Sequence, residues 1–180
     1  MTRSFVAIPM PEDTAARLAV LVRGLTVGRK VPEDNLHLTL SFLGDVPDRG
    51  LEDLHDTLSA IRHAPVELGF AGLGVFGDDR PRALWAAVAA APGLLDLQRQ
   101  VERAARKAGL APEARRFVPH VTLVRMKGRR EDAEPLARFL AARGGAGAPP
   151  FRAFAFSLMA SQLRPAGAVY EELARYPLTG

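Results

Sequence analysis

Two four-residue stretches, His37-Leu38-Thr39-Leu40 and His120-Val121-Thr122-Leu123, constrain this chain more than anything else in it. Each alternates a polar residue with an aliphatic one, the period of a half-buried β-strand, so His and Thr leave one face and the aliphatics the other. A chain holding both must build two strands that each present an imidazole and a hydroxyl side by side. Only four histidines occur in the chain. At average residue frequencies two of them would share this context by chance well under about one time in a hundred. The plain alternative is two ordinary strands, each with one buried, hydrogen-bonded histidine.

The flanking sequence gives the two stretches matching surroundings. Residues 4–10 read as a strand and 12–25 as a helix with Glu12 and Asp13 at its favourable end. The first motif strand covers residues 36–43. Leu51, Leu54, Leu58 and Ile61 then mark one face of a helix over 48–61. Residues 66–76 and 82–90 form a strand pair, and 94–108 a helix carrying Leu94, Leu97, Val101, Ala104 and Ala105. The second motif strand runs from 120 to 126, a helix from 131 to 143, and a hairpin joins strands 151–163 and 169–176 through Arg164-Pro165-Ala166-Gly167. The order repeats in outline, which predicts one domain over 1–180 made of two pseudo-symmetric lobes. Packed about a pseudo-twofold axis, the lobes would bring both His/Thr faces to one central cleft.

Two imidazoles across a cleft suit a reaction that removes a proton from an attacking oxygen and gives one to a leaving oxygen. Histidine does both near neutral pH. Metal binding is the rival use, but no third ligand motif accompanies either histidine, and no cysteine exists to supply thiolate or disulfide. A serine hydrolase would need a nucleophile elbow, and there is none. Gly72, Gly74 and Gly77 spell G-x-G-x-x-G, yet Asp78, Asp79 and Pro81 follow and then another strand, where dinucleotide binding needs a helix N-terminus. No cofactor is expected. His55 and His63 lack comparable context and are expected at the surface.

The net charge of +4 comes chiefly from arginine, since Lys30, Lys107 and Lys127 are the only lysines among 24 basic residues. Guanidinium suits phosphate, although an Ala-, Arg- and Gly-rich composition also follows from base composition alone. No apolar run reaches membrane-spanning length and no secretory segment opens the sequence, so a cytoplasmic protein is expected, without membrane partners.

The paired motifs carry a resemblance. With Phe5-Val6-Ala7-Ile8-Pro9, Asn35-Leu36 before the first motif, Phe42-Leu43-Gly44 after it, Gly72-Leu73-Gly74-Val75-Phe76 with Pro81-Arg82 and Leu84-Trp85, and Phe117-Val118-Pro119 before the second motif with Arg125 after it, the chain resembles the two-histidine phosphoesterase superfamily. Within that superfamily it is similar to bacterial and archaeal RNA 2′,3′-cyclic phosphodiesterases, first described through 2′-5′ RNA ligase activity. The resemblance runs from Phe5 to about Tyr176.

It implies a bilobal α+β fold, two antiparallel β-sheets lining a central groove with helices outside. It also implies metal-independent opening of RNA 2′,3′-cyclic phosphate ends to 2′-phosphomonoesters; a monomer is expected. The implied catalytic pair is His37 and His120, with His120 taking a proton from water and His37 protonating the departing 3′ oxygen; in the ligase direction the roles exchange. Thr39 and Thr122 would hold nonbridging oxygens and Arg125 would oppose transition-state charge. An odd step of five puts Arg125 on the wrong face unless the strand bends. Phe42, at the same offset from His37, would stack a base or pack in the core, with the core favoured. One departure is Lys30, where the family often has an aromatic residue, and it bears on base contacts. The alternatives are a phosphodiesterase for small cyclic nucleotides or 2′-5′ oligonucleotides, and a noncatalytic RNA-binding module.

Overall fold

The structure, a computed structural model, describes residues 1–113, 116–164 and 167–180. Ala114 and Arg115, in the lead to the second motif, and Pro165 and Ala166, in the expected hairpin turn, lie outside the described residues.

The strand β1 (Thr2–Pro9) is apolar through its middle because it lies inside a sheet, between β3 (His37–Val46) and β9 (Ala155–Arg164). Beyond β9 lies β10 (Gly167–Pro177). On the other side β3 meets β7 (His120–Arg125), followed by β6 (Ala83–Val88) and β5 (Phe70–Phe76). Each pairing is antiparallel. The two expected sheets are thus joined, and the seam is narrow: Leu38↔Val121 is the one registered pair between β3 and β7. Both residues are fully buried. The two-residue strand β2 (Arg29–Lys30) docks on the far end of β7.

Four helices among the described residues cover the apolar faces: α1 (Glu12–Leu21), α2 (Asp48–Ser59), α3 (Pro92–Lys107) and α4 (Ala133–Arg143). The helix α3 starts on Pro92, whose fixed φ suits a first turn, and ends on Arg106 and Lys107 at the negative end of its dipole. Its Leu94, Leu97, Val101, Ala104 and Ala105 are buried as their spacing requires. Each large side chain so buried contributes roughly 1.5–3 kcal/mol. Three boundaries differ from expectation. The helix α1 stops at Leu21, ahead of the left-handed Gly24. The run 66–76 breaks at Gly69 into β4 (Val66–Leu68) and β5, and β4 forms a separate ribbon with β8 (Phe151–Ala153). Phe154, between β8 and β9, is exposed.

Candidate active site

The bulges decide which side chains reach the groove. On β3, Ala7 pairs with Thr39 and Val6 with Ser41, so Leu40 is an extra residue; on β7, Trp85 pairs with Thr122 and Leu84 with Val124, so Leu123 is extra. A one-residue insertion reverses the alternation beyond it. Arg125 and Phe42, each five residues past its histidine, therefore return to the face that carries the imidazoles. The bend that would rescue Arg125 is this bulge. The backbone oxygens of the inserted residues are engaged: Leu123 O accepts from Val31 N at 2.8 Å, and the Gln98 amide approaches Leu40 O at 3.5 Å.

Leu38 and Val121 face the core, which turns His37, Thr39, His120 and Thr122 to the other side. Extending the Leu38↔Val121 register sets position 37 across from 122 and 39 across from 120. The two histidines are then diagonal neighbours, roughly 7–8 Å apart in a regular ladder and somewhat less between Cβ atoms. His37, Thr39, Phe42, His120, Thr122 and Arg125 all line one cavity of about 1130 Å³. Phe42 is 40% exposed, which corrects the core placement favoured from sequence.

Both imidazoles are held alike. His37 Nδ1 lies 2.7 Å from Asn35 O and His120 Nδ1 lies 2.6 Å from Val118 O. A carbonyl only accepts, so each Nδ1 carries the proton, which fixes the tautomer and the orientation of both rings. Each ring also has two aromatic neighbours. Tyr170 meets His37 edge-on at 5.1 Å with Phe5 at 4.9 Å, while Phe76 meets His120 edge-on at 4.9 Å with Trp85 at 5.7 Å. Gly74 leaves room for Trp85, since a Cβ there would strike the indole. Gly72 and Gly77 adopt left-handed φ at a bulge and a turn, and β5 leads into β6. The glycine pattern here serves strand geometry.

Burial, the largest cause, lowers the His37 pKa from 6.5 to about 4. The Asn35 carbonyl opposes this, and electrostatic repulsion from Arg125, with a smaller contribution from the His120 side, adds to it. The groove wall also includes Arg3, Arg29, Lys30 and Arg116. Sequence reading passed over Arg29, Tyr170 and Phe76 as site residues. Their only signal was polar or aromatic character on short or edge strands.

The other two histidines lie elsewhere. His55 is exposed, its Nδ1 3.0 Å from the Tyr176 hydroxyl. His63, expected at the surface, keeps a side chain only 11% exposed, with Nε2 3.6 Å from Asp96. Among the described residues, no three His, Cys, Asp or Glu side chains gather at metal-binding distance. No helix among them is long and apolar enough to cross a membrane.

Comparison with known proteins places these features in company. The sequence profile of the family described as LigT-like phosphoesterase matches residues 8–85 and 87–170, one motif in each stretch. A protein of Methanothermobacter thermautotrophicus named RNA 2′,3′-cyclic phosphodiesterase is 33% identical over 98% of both chains. One of the same name from Thermus thermophilus is 34% identical over 99% of this chain and 91% of its own. Among solved structures, a phosphoesterase superposes with a TM-score of 0.82 at 26% identity over 99% of both chains. E. coli LigT complexed with 3′-AMP superposes at 0.79, with the same identity and coverage.

Proposed function

This chain belongs to the LigT-like phosphoesterase family, and from that premise we propose that it opens the 2′,3′-cyclic phosphate at RNA ends to a 2′-phosphomonoester. The observation that carries the proposal is the pair of imidazoles lining one cavity, each oriented by its Nδ1 on a backbone carbonyl.

In the proposed reaction a water oxygen bonds to phosphorus as the bond from phosphorus to O3′ breaks. His120 Nε2 takes the proton of the water, and His37 Nε2 gives one to O3′. Burial leaves His37 unprotonated in the free protein, so the anionic substrate must supply the charge that lifts its pKa. The phosphate does so by offsetting the repulsion from Arg125. Thr39 and Thr122 donate to nonbridging oxygens, and Arg125 opposes the charge that grows on them. Phe42 offers an exposed ring for a base. The reaction as written needs no metal.

The equivalent bulges, ring neighbours and Nδ1 bonds support the companion inference that residues 1–180 form one domain of two pseudo-symmetric lobes. We further take the protein to act as a cytoplasmic monomer, where a chain without cysteine is indifferent to reducing conditions.

The test is phosphorus NMR of a dinucleotide 2′,3′-cyclic phosphate incubated with the protein in EDTA. A 2′-phosphate product is expected. Loss of activity with chelator, or a 3′-phosphate product, overturns the assignment.

A further inference from the structure

Arg29 and Arg125 are directly paired across β2 and β7, and both line the groove. Directly opposed residues of an antiparallel pair share a face and sit close, so like charges there repel. Among the described residues neither guanidinium makes an ion pair with a carboxylate. Two cations so placed call for anions from outside the chain.

The two diverge in what they reach. Arg125 acts electrostatically on His37 and is the cation assigned above to the reacting phosphate. The Arg29 guanidinium lies instead against Gly167 at the start of β10, where a Cβ would collide with it. Tyr170, the edge-on neighbour of His37, is three residues further along β10. At about 3.3 Å per strand residue the Gly167 and Tyr170 backbones are on the order of 10 Å apart, so the Arg29 charge is offset along β10 from the residue that touches His37. That offset suits the next phosphate of the same strand better than the cyclic phosphate itself. Asn35 ties the hairpin down beside it, its Nδ2 donating to Ala168 O at 2.9 Å.

We propose that Arg29, held against Gly167, binds the phosphate on the 5′ side of the terminal nucleotide, so that the groove selects oligonucleotide or 5′-phosphorylated ends over mononucleosides. The inference rests on the cyclic phosphodiesterase function proposed above. A bidentate guanidinium contact suits a phosphodiester or a phosphomonoester equally, and the substrates below separate them.

The experiment compares kcat/KM on three substrates: adenosine 2′,3′-cyclic phosphate, the same compound bearing a 5′-phosphate, and a dinucleotide ending in the cyclic phosphate. The wild type is expected to prefer both 5′-extended substrates by tenfold or more, with a preference that weakens as salt rises. Arg29→Gln should collapse that ratio and Arg29→Lys should keep part of it. Arg29→Lys, which keeps the charge on a side chain of similar length, guards against a folding defect in Arg29→Gln. Preference for the 5′-phosphate alone assigns a monoester site, and preference for both assigns a strand path. A wild type without preference, or an equal loss on all three substrates in Arg29→Gln, overturns the inference and leaves the phosphodiesterase standing. A wild type that opens none of them overturns the function on which it rests.

Discussion

The Arg125 guanidinium, from one motif strand, lowers the pKa of His37 on the other. The two strands meet at a single registered pair, yet their side chains share one electrostatic environment. Burial is the larger cause and the Arg125 charge adds to it, so the His37 imidazole stays neutral until an anion arrives.

NMR titration of the His37 ring should therefore give a pKa of about 4 in the free protein. Addition of 2′-AMP, a product-like anion, should move it upward, with net proton uptake on binding. If 2′-AMP leaves it unmoved, His37 cannot serve as the acid and the two histidines exchange roles.

The same shift predicts a pH dependence of stability. The folded pKa lies below the unfolded value, so the unfolded chain binds the extra proton between them. The stability contribution is complete above pH 6.5 and is lost as pH falls through about 4. The loss should reach about 2–3 kcal/mol, read from urea unfolding at pH 7, 5.5 and 4. His37→Gln should flatten this part of the curve.

Arg125→Gln removes both the repulsion on His37 and the charge facing the phosphate. We expect the His37 pKa to rise while kcat falls about 10²–10³-fold, the scale of losing one preorganised donor. A change confined to KM would place Arg125 in ground-state binding alone.

Gly74→Ala would drive a methyl into the Trp85 indole, which is in turn 5.7 Å from the His120 ring. Overpacking of this kind costs about 1–3 kcal/mol. Thermal unfolding should show that loss together with a fall in kcat, whereas Gly109→Ala, which strains its own backbone at φ +77° but meets no neighbour, should cost stability and leave kcat unchanged.

Alternation and spacing were enough to find β3, β7 and the apolar faces of α2 and α3, since those signals repeat over several residues. The bulges were not legible. Leu40-Ser41 and Leu123-Val124 both lie inside buried strand, and an inserted residue there looks like any other core position. The missed insertion put Arg125 on the wrong face by simple counting, and burial of Phe42 was favoured for want of the same information. The strand β2 escaped notice because two charged residues, Arg29 and Lys30, carry no period. His63 looked like a surface residue because its enclosure comes from the distant α3 and the chain end: Asp96 faces its ring, and Gly180 N donates to its carbonyl at 3.2 Å.

The seam at Leu38 and Val121 gives two aliphatic side chains a say in the chemistry, although neither lines the cavity. Each is flanked by a histidine and a threonine that do, so a slight rotation of one half of the sheet about this point changes the gap between proton donor and proton acceptor. Mutational tolerance at these two positions should accordingly follow turnover more closely than melting temperature, as in a pair of tongs whose pivot governs how well the tips close.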